Sequence, residues 1–268
     1  MGISICCPSF PEGHMREVVW VGGERTPKAF SSLKNERMYC QKEGKTVKFH
    51  AIMARSFLGK ANRIEQNLTL LKKEGRTQKS IEDISKIEKR FERIKEFYIP
   101  RIKTATGYEF LNPALFFFIF LYKEITMVFN EAQNNPVKPG GTKLLSSPDL
   151  REMLEVSENR KTLAYIGDAA LETGVMASTW SLQETQKIPL NEFLHDERNK
   201  LVENQPLSRF WDSLQLNDSP IIANLPQEND ETKGSSMEAV FGIIFLENGL
   251  EAVETALQNL KKYYERTK

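Results

Sequence analysis

The stretch TLAYIGDAALE, residues 162–172, sets an acidic residue inside an apolar helical pattern. Asp168 follows Tyr165 and Ile166 and precedes two alanines, and a carboxylate in such surroundings is costly to bury unless a cation or a hydrogen-bond donor meets it. Glu172 comes four residues later, so a helix places both acids on one face. The stretch therefore predicts a buried helix that carries an acidic site.

A second stretch of this kind is GSSMEAVFGIIFLENG, residues 234–249, in which Glu238 opens another apolar helical run. Mg²⁺ takes oxygen ligands and is often held by only one or two carboxylates. Two acids, each in its own apolar helix, form the pattern that is expected of a divalent-metal site in a helical protein.

The distribution of charge is uneven along the chain. Of 268 residues 40% are hydrophobic, enough for one or two domains, and the formal net charge is +1. Residues 1–104 carry 22 basic and 12 acidic side chains, whereas residues 105–268 carry 15 and 24. The basic segment is typical either of phosphate binding or of a solvated helix pair, and both interpretations stay open.

Cysteine content and the N-terminus favour a cytoplasmic protein. Cys6, Cys7 and Cys40 form neither a disulfide framework nor a metal-ligand spacing. The N-terminus lacks the basic and apolar regions of a secretory signal. The Phe-rich run within residues 113–129 is interrupted at Lys123-Glu124, short of the ~20 residues that a span needs. It therefore predicts a buried core helix and no membrane segment.

The sequence divides into three parts. Residues 1–50 show no persistent period and fit either a small strand-containing appendage or a partly ordered tail. Residues 51–99 predict a basic helical hairpin, with a stop at Gly75, a capping box from Ser80 and an end before Pro100. Residues 100–268 lack any convincing period-two stretch, which predicts an all-α domain.

Within this last part, helices are expected over residues 159–182 and from Ser235 or Ser236 to Asn248-Gly249, among others. Polar loops are expected over residues 133–146 and 217–233.

Five segments resemble the ribonuclease III family. LAYIGDAALE (163–172) is similar to the family signature and MEAVFG (237–242) to its second motif. Three more segments agree in order: TGYEFLNPALF (106–116), LHDERNKLVENQPL (194–207) and FLENGLEAVETAL (245–257). The resemblance covers roughly residues 90–262 and implies the family's all-α endonuclease domain.

The resemblance also implies an activity. Members of this family use carboxylates from two helices to hold Mg²⁺, for which Mn²⁺ is an alternative, and cut double-stranded RNA as homodimers in which each subunit cleaves one strand. The products carry 5′-phosphate and 3′-hydroxyl ends with a short 3′ overhang. Carried over to this chain, Asp168 and Glu238 match the family's acids and are expected to be catalytic metal ligands.

Two positions depart from the family pattern. Ala164 stands where the signature usually has Glu, and Ser235 stands where an Asp usually precedes the second-motif Glu. The signature sequence around Ala164 and the serine at position 235 resemble the compact Mini-ribonuclease III branch. This resemblance implies that the Asp168 and Glu238 pair is sufficient for activity. The alternative is a ribonuclease III-like fold kept as a non-catalytic RNA-binding or ribonucleoprotein subunit.

Other residues carry weaker expectations. Glu172 is either a further metal ligand or an acid on the helix surface near the dimer interface. Lys233, Arg198 and Lys200 either contact RNA phosphates or are ordinary surface cations. His195 is expected to be structural, because Mg²⁺ prefers oxygen. Tyr165 and Ile166 are expected to pack at the subunit interface.

A separate double-stranded RNA-binding domain is not expected. The chain ends soon after its last helix, and residues 1–104 show helices where such a module would have a three-stranded sheet. We expect the basic N-terminal region to substitute for it by binding phosphates. Deletion of residues 1–87 should then weaken RNA binding and flatten its salt dependence.

Overall fold

The computed structural model describes residues 18–20, 38–42, 45–75, 78–135, 145–180, 189–216 and 229–267. Within these ranges the chain is nearly all helical, which confirms the predicted all-α fold. The centres of the loops expected over 133–146 and 217–233 lie outside the described residues.

Three short strands precede the helices: β1 (Val18–Trp20), β2 (Met38–Lys42) and β3 (Lys45–Lys48). They pair antiparallel in that order, with Cys40 opposite Val18 on one side and Val47 on the other. The N-terminal region therefore contains strands, and the expectation that residues 1–104 lack a three-stranded sheet is wrong. Strands of three to five residues give too short an alternation to be recognised by period.

The helical hairpin consists of α1 (Phe49–Glu74) and α2 (Gln78–Arg93). Gly75 ends α1 in the left-handed conformation, with φ +58°. The predicted end before Pro100 is wrong. A π-helical turn (Ile94–Tyr98) continues directly into α3 (Ile99–Thr106). Pro100 lies in the first turn of α3, directly after the π-helical turn, where the regular i→i−4 hydrogen-bond ladder is already interrupted.

The hairpin shares its core with the rest of the helical domain. The ring of Phe57 in α1 meets that of Phe118 edge-on at 5.9 Å, and Phe91 in α2 stacks on Phe117 at 4.0 Å between centroids. The buried apolar side chains of both helices belong to one hydrophobic cluster with those of the C-terminal helices. Deleting residues 1–87 would therefore expose this core, so RNA binding by the hairpin has to be tested by substitution.

The Phe-rich segment is buried as predicted but is not one helix. It forms a 3₁₀ turn (Pro113–Phe116), α4 (Phe117–Phe120) and α5 (Tyr122–Asn134). The chain bends by 79° at Leu121. No single helix among the described residues is long and apolar enough to cross a membrane. The two parts of this bent pair reach the required length and apolar composition only when they are taken together.

The remaining helices surround one central helix. In chain order they are α6 (Ser147–Leu154), α7 (Val156–Trp180), α8 (Leu190–Leu201), α9 (Asn204–Ser213), α10 (Asp230–Asn248) and α11 (Leu250–Thr267). α10 is buried on nearly all sides, by α7, α9 and α11 among others. It ends at Gly249 as predicted.

The start of α10 differs from the prediction. Neither Ser235 nor Ser236 caps it. Asn229 does, because its side-chain oxygen accepts a hydrogen bond from the Thr232 amide at 2.9 Å. Asp230 and Glu231 then occupy the first turn, where negative charge is favourable. Lys233 consequently lies inside the helix and not in a loop.

Candidate active site

The candidate site forms where α7 and α10 cross in backbone contact. A Cβ atom on Gly167 would lie 1.7 Å from the Glu238 carbonyl oxygen and 2.8 Å from the Gly242 nitrogen. A Cβ atom on Gly242 would lie 2.3 Å from the carbonyl oxygen of Leu163. Only glycine fits at these two positions. The glycine of the signature thus brings the following residue, Asp168, beside the helix that carries Glu238.

Asp168 and Glu238 are both half-buried and interact electrostatically. Burial, aided by the charge of Asp168, raises the pKa of the Glu238 carboxyl to about 7. Burial also raises the pKa of Asp168, and the nearby charge of Glu172 acts in the same direction. The structure therefore brings together the two acids that the sequence singled out, as a pair whose negative charges oppose each other.

This donor set fits a hard divalent cation. Two carboxylates supply oxygen ligands of the type that Mg²⁺ binds, and a cation between them would offset both their burial and their repulsion. Among the described residues, no group of three or more His, Cys, Asp or Glu side chains is arranged to hold a metal ion. An ion at this place would thus take Asp168 and Glu238 as its protein ligands and complete its shell with other oxygens.

Arg160 is a residue of the site that the sequence analysis missed. Its Nη2 donates to Ser236 Oγ at 3.1 Å and to the Thr232 carbonyl at 3.3 Å, so it ties the start of α7 to the start of α10. Its guanidinium lies 5.0 Å from the centroid of the Tyr122 ring, and its charge partly offsets the rise in the pKa of Glu238. The sequence signal that points to it is the four-residue spacing of Arg160, Ala164, Asp168 and Glu172, which places Arg160 on the same ridge of α7 as Asp168.

Glu172 lies one turn after Asp168 and is engaged by a cation from α8. The Nε and Nη2 atoms of Arg198 both lie 2.7 Å from Glu172 Oε1, and Nη1 lies 3.5 Å from Glu203 Oε1. Separate roles were predicted for Glu172 and Arg198 from the sequence. In the structure they form one ion pair at the edge of the site.

The other three candidates lie in local pairs. Lys233 binds both carboxylate oxygens of Asp212, at 2.8 and 3.0 Å, and only 14% of its side chain is exposed. Lys200 pairs with Glu197 at 2.9 Å, and the Nε2 atom of His195 lies 3.0 Å from the Asn199 side chain. RNA contacts by Lys200 and Lys233 stay predictions, and for Lys233 they would require the pair with Asp212 to open.

An apolar strip of α7 faces outward beside Asp168. Tyr165 is 76% exposed and Met176 is 46% exposed, and the small residue Ala169 is exposed between them. Ile166, by contrast, is partly buried against the core of the same chain. The α7 strip, defined by Tyr165, Ala169 and Met176, is therefore a hydrophobic surface that the described residues of this chain leave open.

One family model matches this part of the chain. Residues 161–249 match the family model described as the Ribonuclease III domain. The match supports the predicted resemblance of this chain to the ribonuclease III family. It begins in α7, ends at the glycine after α10 and includes Asp168 and Glu238, over about a third of the chain. No curated protein and no solved structure matches the chain.

The ribonuclease III match supports a family of endoribonucleases that act on double-stranded RNA. It covers the signature and the second motif, the two segments on which the resemblance chiefly depends. It does not distinguish branches of the family, so the similarity to Mini-ribonuclease III stays a prediction.

Proposed function

We propose that the protein is a Mg²⁺-dependent endoribonuclease that hydrolyses phosphodiester bonds in double-stranded RNA. The observation that supports this most directly is the convergence of Asp168 and Glu238 at the crossing of α7 and α10, within the ribonuclease III match. Both acids are half-buried in apolar helices, at a cost to folding that a bound cation would offset.

The roles of this chain's residues follow from their positions. A bound Mg²⁺ would activate water and neutralise charge that develops on the phosphoryl group. Asp168 and Glu238 would hold the ion, and the backbone contact at Gly167 would fix their separation. Arg160 would hold the first turns of α7 and α10 together. Arg198 and Lys200, on α8, would contact phosphates of the duplex.

The α7 strip provides the surface for a homodimer. Tyr165 presents apolar area beside Asp168, and Met176 extends it about two turns further along α7, so two copies joined through this strip would place two acidic sites near one duplex. Each subunit would then cleave one strand, leaving 5′-phosphate and 3′-hydroxyl ends with a short 3′ overhang. A cytoplasmic location remains a prediction from the cysteine content.

The deciding experiment is cleavage of a long RNA duplex by the purified protein with Mg²⁺. Asp168→Asn and Glu238→Gln keep the size of the side chains but remove the charges, and each should abolish cutting. Glu231→Gln removes an exposed acid from the first turn of the same helix as Glu238 and should leave cutting intact. Cutting that survives in the Asp168 and Glu238 variants would contradict this site.

The alternative is a non-catalytic RNA-binding or ribonucleoprotein subunit with the same fold. Ala164, which is 4% exposed, and Ser235 favour it, because the family usually has acids there. The pairing of Glu172 with Arg198 also favours it, because this acid is already neutralised. Under this alternative the wild-type protein binds the duplex without cutting it at any Mg²⁺ concentration.

A further inference from the structure

Arg198 brings a fixed positive charge to the edge of the candidate site. Two of its guanidinium nitrogens contact Glu172, one turn beyond Asp168 on α7, and the third approaches Glu203 just before α9. The side chain is therefore held from two sides, and it is bound to the acid that lies one turn of α7 beyond Asp168.

The electrostatic coupling agrees with this placement. The hydrogen bond to Glu172 raises the pKa of Arg198, and the charges of Glu172, Glu203 and Asp168 act in the same direction. Arg198 in turn opposes the rise in the pKa of Asp168. The guanidinium stays charged and acts on the acid that faces the metal position.

The acids nearby leave room for one divalent ion. Asp168 and Glu238 satisfy the one or two carboxylates that Mg²⁺ commonly takes. The positions at which the family usually has further acids are Ala164 and Ser235, and the remaining acid on this face of α7, Glu172, is bound by Arg198. A second divalent ion would have to compete with the guanidinium for Glu172.

We propose that Arg198, held by Glu172 and Glu203, takes the place of a second divalent cation. The site then binds a single ion between Asp168 and Glu238. Arg198 supplies the second positive charge and presents its N–H groups to an RNA phosphate. This inference rests on the proposed metal-binding function of Asp168 and Glu238.

The test is a titration of the full-length protein with Mn²⁺ alone, followed by electron paramagnetic resonance. The wild type should bind one ion at the site. Arg198→Gln removes a neighbouring cation and frees Glu172, so it should bind the first ion about 3- to 10-fold more tightly and acquire a second. Arg198→Gln/Glu172→Gln should lose the second ion, and Arg198→Lys should resemble the wild type.

Arg209→Gln is the matched control. Arg209 is exposed on α9, and its loss changes the net charge by the same amount, so Mn²⁺ affinity should stay unchanged. Arg198 and Glu172 are both partly exposed, with 42% and 38% of their side chains accessible, so the variant should fold, which a thermal unfolding scan checks.

Two results would overturn the proposal: two ions at the site of the wild type, or the same affinity and stoichiometry in Arg198→Gln. Failure of the proposed function looks different. In that case Mn²⁺ binding would be absent from the wild type or would persist in Asp168→Asn and Glu238→Gln.

Discussion

Gly167 touches the backbone of Glu238 so closely that a Cβ atom at position 167 would lie 1.7 Å from the Glu238 carbonyl oxygen. The contact joins α7 to α10 immediately beside Asp168. Neither helix can rotate or withdraw there without moving one acid relative to the other. The candidate site therefore depends on a glycine that has no chemical role.

The first prediction concerns this contact. Gly167→Ala should lower the free energy of unfolding by about 3 kcal/mol or more, because the methyl group would clash with backbone atoms that cannot give way. At Gly174, on the same helix, an added Cβ atom would meet no atom closer than 3.6 Å, so Gly174→Ala should be neutral or stabilising by up to about 1 kcal/mol. Urea unfolding measures both, and equal effects would contradict the close crossing.

The second prediction is a pH dependence set by Glu238. Its pKa is raised from 4.5 to about 7, so the folded state retains this proton where the unfolded chain has lost it. The contribution of this group to the free energy of unfolding is therefore largest below about pH 4.5, falls as the pH rises to about 7 and is constant above. Because Glu238 is half-buried, we expect the loss to be about 1–2 kcal/mol.

Urea unfolding between pH 5 and 8 without divalent ions tests this. Glu238→Gln does not titrate, so the variant should gain stability relative to the wild type as the pH rises to about 7. A constant difference between the two proteins over this range would exclude a raised pKa at Glu238. Since the ion needs ionised carboxylates, the affinity for Mn²⁺ should fall below about pH 7.

The third prediction addresses the α7 strip. Tyr165→Asp places a charge in the middle of the proposed dimer surface and should convert dimers to monomers in sedimentation velocity. Met127→Asp is the control, because Met127 is 70% exposed on α5 and lies outside the strip. A wild type that is monomeric at all concentrations, or a Tyr165→Asp variant that remains dimeric, would contradict the homodimer through this surface.

The fourth prediction concerns Glu247 near the end of α10. Its carboxylate accepts hydrogen bonds from the Tyr108 hydroxyl at 3.0 Å, the amides of Leu111 and Asn112 at 3.1 and 2.8 Å, and the Asn112 side chain at 3.0 Å. It thereby fixes the turn that enters the Phe-rich segment.

Glu247→Ala would leave these donors without their acceptor and should cost about 3 kcal/mol of unfolding free energy. Glu65→Ala, at an exposed acid on α1, should change it by less than about 0.5 kcal/mol. Chemical denaturation compares the two, and a small effect of Glu247→Ala would show that water replaces the carboxylate.

The fifth prediction tests phosphate binding by the hairpin. Several of its cations are neutralised locally, as in the pairs Lys72–Glu88 and Lys86–Asp83. Lys73 and Lys89 are exposed and enter no ion pair within the described residues. Lys73→Gln/Lys89→Gln should therefore weaken duplex binding and reduce the slope of log affinity against log salt by about 1 to 2.

The control for the hairpin is Lys72→Gln/Lys86→Gln, which removes the same charge from the same two helices but only from paired side chains. Its salt slope should stay near that of the wild type. Equal slopes for both double variants and the wild type would show that the hairpin is a structural part of the core and does not bind RNA.

Local patterns of the sequence predicted the helical fold. The glycine stops at Gly75 and Gly249 agree with the structure, because capping acts within the last turn of one helix. The limits of local rules also explain the errors: the continuous run of apolar residues does not reveal the bend at Leu121, and the cap at Asn229 competed with two serines of similar propensity.

The sequence by itself also predicted the two acids of the candidate site, since Asp168 and Glu238 are conspicuous in apolar helices and lie in segments that resemble motifs of the ribonuclease III family. Only the tertiary structure decided how they are arranged. The contact of Gly167 with α10, the tie from Arg160 to Ser236 and the pairing of Glu172 with Arg198 join residues from different helices. Such pairings depend on how helices cross, and the spacing of residues within one helix does not contain that information.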